Sequence, residues 1–579
     1  MLKLRHRLLP LLLAIACCLQ LTAGNMLHPS HGPKAMVATV QPEAAKVGVE
    51  IMQQGGNAVD AAVAIGFALT VVHPQAGNIG GGGFMLFRRP DGEVHFLDYR
   101  EKAPAKAGAN MYLDGQGNVI PDLSTVGYKA IAVPGSVAGL AYAQRHWGKL
   151  SLKQVLEPAI RLAREGYVLD YDDAKSLHDP DLAKFPESRR IFQRDGDYYR
   201  AGDVFKQPEL ARTLERIAEN PDDFYHGEMA RELAVAMEKG GGLITAEDLA
   251  NYEVKERQPI RGTYRGYEII SAPPPSSGGV ALVEILNILE GYDLQKQGLD
   301  SAESIHLTAE AYQRVFFDRA EFLGDPDFAK IPVAQLIDKR YGNAWRETIP
   351  LRRATPSAEL RRPSIFSQLD SYASSHPQPK SVHEPEHTTH YSVVDPDGNA
   401  VAVTTTLNDS FGSRVTAEGL GFLLNDEMDD FSSKQGVPNI YGLIQGPANA
   451  IGPGKRPLSA MTPTIVLKGN KLFLVLGSPG GPTIITTVAN VLMGVVDYGL
   501  NIQEAVNAPR FHHQWMPDQL EMEKIGFSPD TLRIIEHMGH KIAAKRDAWG
   551  DAECIAIDEK TGERLGASDG RNQGKAVGF

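Results

Sequence analysis

Cysteine is almost missing from this sequence, which has three cysteines among 579 residues. Two of them, Cys17 and Cys18, lie in an apolar segment at the start of the chain, so Cys554 stands alone in the remainder. Once that segment is removed, no intramolecular disulfide can form. A small fold held together by disulfides is therefore excluded.

A surplus of positive charge is also lacking. The chain has 59 Lys and Arg residues against 71 Asp and Glu residues, for a formal net charge of −12. Proteins that bind nucleic acids usually present a basic face, and no basic block interrupts this chain. Nucleic-acid binding is therefore set aside. The remaining composition, 42% hydrophobic and 22% charged, is ordinary for a large globular protein.

Long apolar runs are lacking beyond the start of the chain. Basic residues within the first seven positions precede the apolar stretch Leu8–Leu19, and small residues around Ala23 offer a cleavage site. This order predicts a secretory signal peptide over residues 1–24, and hence a periplasmic or secreted protein. The apolar stretch is too short for a comfortable membrane span, and Pro10 interrupts it.

Lipid anchoring at Cys17 is an alternative for the same segment. The residues before it, Ala14-Ile15-Ala16, weakly resemble a bacterial lipidation site. The position three before the cysteine is Ala, however, where Leu is usual.

Helical patterns dominate the first two thirds of the chain. Residues Pro42–His73 predict two helices, the second capped by Asn57 and apolar nearly all round. A glycine run then leads into a predicted hairpin with RPDGEV as its turn. Helical spacing recurs from about Pro134 to Gly342. Residues 361–387, rich in Ser, Pro and His, predict a linker or a mobile tail.

Strand patterns begin abruptly at Thr388. Two alternating apolar runs are joined by DPDGN, a strong turn signal, and a second predicted hairpin turns at Gly469-Asn470. A buried helix should follow, and then a helix and further strands from about Ser528. Strands at both ends of the chain around a helical middle favour an α+β or layered fold over alternating βαβ units.

The junction at PEHTTHYSVV raises a chemical question. A threonine hydroxyl is a poor nucleophile unless a base takes its proton, and one economical base is the α-amine of a chain-terminal threonine. Cleavage between His387 and Thr388 would create that amine. From residue types alone, Thr388 and Thr389 are typical strand formers. His387 and His390 also allow a metal site, although two histidines without a third ligand are mostly surface residues.

Several long motifs in a set order now point to one family. They are TTHYSVVDPDGNAVAVTTTLN, NDEMDDF, KRPLSAMTPT and GSPGG, preceded by GNAVDAAVA, HPQAGNIGGGGF and DYREKAP. Together they make the chain resemble the γ-glutamyltranspeptidases, also called glutathione hydrolases, over essentially all of its length after the signal peptide. The resemblance implies an N-terminal-nucleophile hydrolase with an αββα sandwich formed jointly by two subunits. These subunits would be cut from one precursor, a large one of residues 25–387 and a small one of residues 388–579.

The resemblance implies catalytic roles for four residues. Thr388 would be both the self-processing residue and the nucleophile, and Thr406 would hydrogen-bond it. Gly480 and Gly481 would form the oxyanion hole, where the absence of a Cβ lets backbone N–H groups approach a developing negative charge. Each residue taken alone also fits an ordinary strand or turn.

The resemblance also implies a site for the γ-glutamyl group. Its α-carboxylate would meet Arg100, whose fork suits a carboxylate, and Ser459. Its α-ammonium would be held by Asn408, Glu427 and Asp430. Ala460 departs from the pattern, because many members have a second serine there, so one hydrogen bond to the carboxylate would be missing.

Two glycine-rich stretches predict different local structures. Gly80–Gly83 is not a phosphate-binding loop, because no Lys-Ser/Thr follows it and it leads into a strand. The long loop Ser432–Pro457 resembles the lid that covers the glutamyl pocket in the family, with Tyr441 closing it. Such a lid favours small substrates.

The implied function is a self-processing γ-glutamyl transferase and hydrolase, acting on glutathione and passing the glutamyl group to water, amino acids or dipeptides. No cofactor and no metal is implied. Two alternatives stay open: an acylase for glutaryl-type β-lactam side chains, and an exported γ-glutamyl-binding protein that never matures.

Overall fold

The computed structural model of this protein describes residues 28–369, 388–543 and 548–579. The predicted signal peptide and the alternative lipid site at Cys17 lie outside the described residues. So do His387 and most of the predicted linker, of which 361–369 is described. Within the described ranges, no helix has the length and apolar character needed to cross a membrane.

Helices make up the middle of the chain and two further stretches. In chain order they are α1 Pro42–Gln53, α2 Ala58–Val72, α3 Ser136–Trp147, α4 Leu152–Glu165, α5 Tyr171–Ser176, α6 Pro186–Gln193, α7 Pro208–Glu219, α8 Asp223–His226, α9 Glu228–Gly240, α10 Ala246–Ala250, α11 Gly278–Leu289, α12 Leu294–Gln297, α13 Ala302–Phe322, α14 Val333–Leu336, α15 Lys339–Glu347, α16 Thr483–Val496, α17 Ile502–Asn507 and α18 Pro529–His537.

Strands come from both ends of the chain. In chain order they are β1 Ser30–Gly32, β2 Met36–Thr39, β3 Gly82–Arg88, β4 Val94–Asp98, β5 Tyr167–Val168, β6 Val204–Phe205, β7 Lys255–Arg257, β8 Ile260–Tyr264, β9 Tyr267–Ser271, β10 Thr388–Val394, β11 Ala400–Thr406, β12 Thr464–Lys468, β13 Lys471–Leu476, β14 Phe511–His512, β15 Glu521–Met522, β16 Cys554–Ile557, β17 Arg564–Ala567 and β18 Lys575–Gly578.

Two seven-stranded antiparallel sheets form the centre of the molecule. One, called the β10 sheet, has the order β18-β2-β10-β11-β3-β4-β7. The other, called the β12 sheet, has the order β1-β17-β16-β13-β12-β9-β8. Each sheet combines strands from before and after Thr388. A cut before Thr388 would therefore leave two chains that complete each other's sheets.

The apolar residues lie in three layers. Phe84 and Leu86 of the β10 sheet meet Ile465 and Val475 of the β12 sheet in the apolar layer between the sheets. The opposite face of the β10 sheet packs on a helical layer that includes α1 and α2, and the opposite face of the β12 sheet packs on α11, α13 and α16. Strand side chains alternate between the two faces. This arrangement is the expected αββα sandwich, and the α+β fold class is confirmed.

Local sequence signals predict most of the elements correctly. The side chain of Asn57 accepts hydrogen bonds from the backbone N–H groups of Val59 and Asp60, as a helix cap should. The hairpins β3–β4, β10–β11 and β12–β13 form where the turn residues predicted them.

The helix-rich middle nevertheless contains five strands, β5–β9, that helical periodicity did not predict. The short strands β5 and β6 pair with each other, and β7–β9 complete the edges of both large sheets. The β8–β9 hairpin turns at Arg265-Gly266, where both residues have positive φ, 51° and 85°. The Arg-Gly pair is a weaker turn signal than Asn-Gly, so the flanking alternation was easy to overlook.

Candidate active site

Thr388 is the first residue of β10, and its backbone pairs with that of Thr406 at the end of β11. Its Oγ1 lies 3.2 Å from Oγ1 of Thr406. The Thr406 oxygen also accepts a hydrogen bond from the backbone N–H of Asn408 at 2.9 Å. Because that bond uses an oxygen lone pair, the hydroxyl proton of Thr406 remains available to point at Thr388. The turn Asp395–Asn399 sets the register that brings the two hydroxyls together.

Gly480 and Gly481 lie between β13 and the start of α16 and both have positive φ, 129° and 52°. Gly481 borders the same pocket as Thr388. Among the described residues, no acceptor takes the backbone N–H of either glycine. Two free N–H groups at a helix N-terminus form a positive environment for an anion.

Packing around these glycines leaves no room for a side chain. A Cβ on Gly481 would lie 2.9 Å from Cδ1 of Tyr441, and one on Gly480 would lie 2.4 Å from Oγ1 of Thr483. Glycine is therefore required here on two counts, backbone conformation and space.

Arg100 follows β4 and is fully buried. Its Nη1 donates to Glu427, and its Nη2 donates to Oδ2 of Asp430 at 2.5 Å. Its Nε donates to the carbonyl of Pro457 at 3.2 Å. The residue expected to bind the substrate carboxylate is thus paired with the two carboxylates expected to bind the substrate ammonium.

The titration behaviour of this cluster follows from its burial. Burial raises the pKa of Glu427 and of Asp430, and Arg100 opposes that rise. Burial also raises the pKa of Glu101 to about 7, again against the effect of Arg100. Desolvation alone would lower the pKa of Arg100, but these carboxylates together raise it. The guanidinium therefore stays charged. An ammonium group of a ligand would stabilise the ionised form of these carboxylates further, as a second cation beside them.

Asn408 and Ser459 complete the predicted substrate contacts. Asn408 has a positive φ of 81°, and its Nδ2 donates to Asp426, which orients the amide. The Ser459 oxygen accepts a hydrogen bond from the N–H of Met461 at 3.1 Å, which leaves its own proton to donate. Ala460 also borders the pocket and offers no hydroxyl.

The loop Ser432–Pro457 covers the pocket. Tyr441 is buried, and its hydroxyl donates to the backbone carbonyl of Asn408 at 2.8 Å. The N–H of Gly446 anchors the loop to the carbonyl of Ala320 in α13 at 2.7 Å. The loop is therefore fastened to both sides of the pocket.

One pocket of about 320 Å³ unites nearly all of the predicted site residues. Gly480 lies next to its wall. The predicted residues that border it are Thr388, Thr406, Arg100, Asn408, Glu427, Asp430, Tyr441, Ser459 and Gly481. Arg319 of α13 also borders this pocket and was not predicted. It occupies one face of a long helix, and its local sequence does not distinguish it from Arg314, the other arginine of that helix.

A second, larger cavity reaches Thr388 from another side. It is open to solvent and encloses about 1060 Å³. Most of its lining residues are polar, and three of them, Asp172, Asp173 and Asp551, are acidic. Lys175 also lines it. Sequence analysis missed this cavity because its residues come from distant segments.

The histidine beside the two threonines is not arranged as a metal ligand. His390 is fully buried; its Nδ1 lies 2.9 Å from Oγ1 of Thr404, and its Nε2 lies 3.1 Å from Oγ of Ser392. Burial lowers its pKa to about 3. Both ring nitrogens thus have hydroxyl partners, and the ring is neutral.

Comparison with known proteins identifies a family that matches this chain and several similar proteins. The family model described as gamma-glutamyltranspeptidase matches residues 44–579. The glutathione hydrolase proenzyme of Escherichia coli (strain K12) is 50% identical over 552 residues, which are 95% of this chain and 92% of that protein.

Solved structures agree with this comparison. The crystal structure of cephalosporin acylase from Bacillus halodurans superposes with a TM-score of 0.81 at 29% identity, over 95% of this chain and 97% of that one. The crystal structure of Helicobacter pylori gamma-glutamyltranspeptidase matches 58% of this chain and 96% of its own at 45% identity, with a TM-score of 0.56.

Proposed function

Because this chain belongs to the γ-glutamyltranspeptidase family, we propose that it cleaves the γ-glutamyl bond of glutathione and related small compounds at Thr388. The chain is an enzyme, a self-processing γ-glutamyl transferase and hydrolase. Its substrates, its acceptors and the role of each residue are the content of the proposal. One observation supports it above the others: the buried Arg100 and Glu427 and the partly buried Asp430 lie in the same pocket as Thr388.

Self-processing begins at the peptide bond before Thr388. The Thr388 oxygen attacks the carbonyl carbon of His387, the C–N bond breaks, and the proton of the hydroxyl moves to the departing nitrogen. This step leaves an ester and a free α-amine on Thr388. Water then hydrolyses the ester, so residue 387 ends one subunit and Thr388 begins the other.

The new amine is the base for turnover. It takes the proton of the Thr388 hydroxyl as the oxygen attacks the γ-carbonyl of the substrate. Backbone N–H groups of Gly480 and Gly481 stabilise the oxyanion of the tetrahedral intermediate. The intermediate then breaks down to a γ-glutamyl ester, and the leaving amine receives the proton. Thr406 orients the attacking oxygen through the 3.2 Å contact.

The second half of the reaction consumes the ester. Water or the amine of an amino acid or peptide attacks the ester carbonyl and gives a proton to the Thr388 amine. As the ester C–O bond breaks, the amine passes this proton to the leaving Thr388 oxygen and restores the hydroxyl. The large cavity beside Thr388 suits the leaving cysteinylglycine and the acceptor, because it meets the nucleophile outside the glutamyl pocket.

Recognition of the glutamyl group rests on charge. Its ammonium would take Glu427 and Asp430 as partners, with Asn408 beside them, and its carboxylate would meet Arg100 and Ser459. Binding therefore exchanges the internal pairs of Arg100 for pairs with the ligand. A ligand that brings both charges leaves no buried charge without a partner.

A glutaryl-type acylase is the second candidate, favoured by the similarity to the cephalosporin acylase structure. A glutaryl group lacks the ammonium, so it would leave Glu427 and Asp430 without a new cation. Turnover of γ-glutamyl and glutaryl anilides distinguishes the two. We expect a preference for γ-glutamyl anilide of at least about tenfold, equivalent to about 1.4 kcal/mol. A preference for glutaryl anilide would reverse the assignment.

The mature enzyme would be a heterodimer exported to the periplasm or the medium. The proenzyme name of the E. coli relative fits two subunits from one precursor, and residues 1–24 fit a cleaved signal peptide. Fractionation of cells, with mass measurement of the large subunit, tests the location and the start of the mature chain. An intact residue 1 in the cytoplasmic fraction contradicts export. A lipid on Cys17 supports anchoring instead.

A further inference from the structure

Arg319 is a buried cation without an anionic partner in the part of the chain that the structure describes. It lies near the end of α13, is only 2% exposed and borders the glutamyl pocket. Its Nε donates to the hydroxyl of Ser277 at 2.9 Å, and its Nη1 meets no hydrogen-bond acceptor among the described residues. No carboxylate in the described part of the chain lies within ion-pair distance of it.

A charge in this state is costly. An isolated buried ion loses its hydration, and proteins normally pair such groups or neutralise them. Burial lowers the pKa of Arg319 to about 10, with Asp430 acting in the opposite direction. The guanidinium therefore remains charged at neutral pH. A pocket that keeps an unpartnered cation at its wall is suited to an anionic group of a ligand.

Arg100, by contrast, is fully engaged before any ligand arrives. Its three nitrogens are bonded to Glu427, Asp430 and the carbonyl of Pro457. Glu101 also lies 3.5 Å from Arg100, so one guanidinium faces three carboxylates. This group alone would repel a carboxylate. Arg319 brings a second positive charge to the pocket and offsets part of that repulsion.

We propose that Arg319 is a second binding cation for the α-carboxylate of the γ-glutamyl group, acting together with Ser459. This inference rests on the proposed function, because it names a further specificity-determining residue of the same pocket. Arg319 adds to the selection by Arg100 and Ser459 of γ-acyl groups that carry an α-carboxylate.

The position of Arg319 is coupled to that of Ser459 through one residue. The hydroxyl of Ser277 accepts from Arg319 and donates to the backbone carbonyl of Ser459 at 2.7 Å. The backbone N–H of Ser277 donates to the same carbonyl at 2.8 Å. This link holds the guanidinium and the Ser459 hydroxyl on one side of the pocket. Ala460, beside Ser459, supplies no hydroxyl there, which gives the cation more of the carboxylate to bind.

The experiment compares ligands with and without the α-carboxylate. Calorimetry measures binding of L-glutamate and of 4-aminobutanoate, which lacks that group, to processed wild type and Arg319→Gln. We expect Arg319→Gln to weaken glutamate binding about tenfold to a hundredfold, the range for a charge-assisted hydrogen bond. Binding of 4-aminobutanoate should change less than about twofold.

Kinetics with the corresponding anilides give a second readout. Arg319→Gln should raise KM for γ-glutamyl anilide and for glutaryl anilide while kcat changes little, and it should leave KM for 4-aminobutanoyl anilide unchanged. Equal effects on all three donors would overturn the inference, because a purely structural role acts on all of them. Wild type that binds glutamate without turning over γ-glutamyl anilide would refute the proposed function and leave the binding test valid.

A control variant separates a loosened helix from a lost contact. Arg314→Gln removes another buried guanidinium from α13, one that pairs with Glu310 at 2.7 Å and does not border the pocket. It should lower stability without changing the ratio of glutamate to 4-aminobutanoate affinity. Should Arg319→Gln fail to fold, Arg319→Lys replaces it in the test. Lysine keeps the positive charge but lacks the forked donor group of arginine, so glutamate affinity should fall by a smaller factor. An unchanged ratio of glutamate to 4-aminobutanoate affinity would contradict the inference.

Discussion

The hydroxyl oxygens of Thr388 and Thr406 lie 3.2 Å apart, because the two residues face each other across β10 and β11. The contact joins the first residue of one strand to the last residue of the next. It therefore depends on the hairpin register, and a slip by one residue would turn both hydroxyls to the other face of the sheet. The predicted nucleophile and its predicted partner are positioned by the same hairpin.

Thr388→Ala should abolish processing and activity together. The variant lacks the oxygen that attacks the preceding carbonyl, so a denaturing gel should show one chain where the wild type shows two. Thr389→Val is the control: Thr389 is buried, and its hydroxyl has no hydrogen-bond partner among the described residues. That variant should process normally. N-terminal sequencing of the wild-type small subunit should begin at Thr388, and a different first residue contradicts the mechanism.

Thr406→Val should slow the reaction without disturbing the strand. Valine has nearly the shape of threonine but removes the bonds to Thr388 and to the N–H of Asn408. We expect kcat to fall about tenfold, which corresponds to about 1.4 kcal/mol for the lost hydrogen bonding. Steady-state kinetics of the processed protein measure kcat, and the thermal midpoint of unfolding shows whether the strand is undisturbed. A normal kcat would exclude an orienting role for Thr406.

Gly481→Ala should reduce the rate more than the affinity. The added methyl group would lie 2.9 Å from Tyr441, and φ at this position is 52°, so the backbone N–H must shift. Losing one oxyanion donor costs about 2.7–4 kcal/mol of transition-state stabilisation, or about 100- to 1000-fold in kcat. Gly499→Ala, also at positive φ but in open space, is the matched control. Similar losses in both variants would point to backbone strain alone.

Asp430→Asn should weaken selection for the substrate ammonium. The change removes one carboxylate from the pocket and one partner from Arg100. We expect KM for γ-glutamyl anilide to rise about tenfold or more, while KM for glutaryl anilide stays the same or falls. Asp429→Asn is a neighbouring control, because Asp429 accepts from Ser124 and from the N–H of Ile440 away from the pocket. Equal changes in KM in both variants would show that Asp430 has no specific role in recognising the ammonium group.

Two buried histidines should make the fold sensitive to acid. Burial lowers the pKa of His390 and of His540 to about 3, from an ordinary 6.5. Below pH 6.5 the unfolded chain therefore binds more protons than the folded one, and stability falls as the pH drops from about 6.5 towards 3. Each histidine should contribute a loss of about 2 kcal/mol between pH 6.5 and 5.

Denaturant unfolding at pH 7 and pH 5 measures that loss. His390→Gln should reduce the difference between the two pH values, because glutamine does not titrate. His537→Gln, at an exposed position three residues before His540, is the control and should leave the difference unchanged. A pH dependence that His390→Gln does not alter would assign the acid sensitivity to other groups.

Local signals in the sequence predicted the parts of the site that neighbouring residues build. The DPDGN turn and the alternation around it predicted the hairpin that holds Thr388 and Thr406. The glycine pair after a strand predicted a turn, and the resemblance to the family supplied the oxyanion role of Gly480 and Gly481. The hairpin depends on residues close in the chain, where backbone geometry leaves few choices. The hairpin β8–β9 was missed because its turn signal is weak within a helical region.

The sequence by itself determined the hairpin that begins at Thr388, through its turn residues and alternation, and the family, through its ordered motifs. The roles predicted for Thr388 and for the glutamyl pocket follow from the resemblance to that family. Only the tertiary structure decided how the charges are distributed. Arg100, Glu427 and Asp430 are brought together by long-range packing, and the cation pairs with both carboxylates before a ligand binds. The same packing buries Arg319 beside them, without an ion-pair partner among the described residues. Whether a charged side chain is paired or free depends on what packs around it in three dimensions, and local sequence does not contain that information.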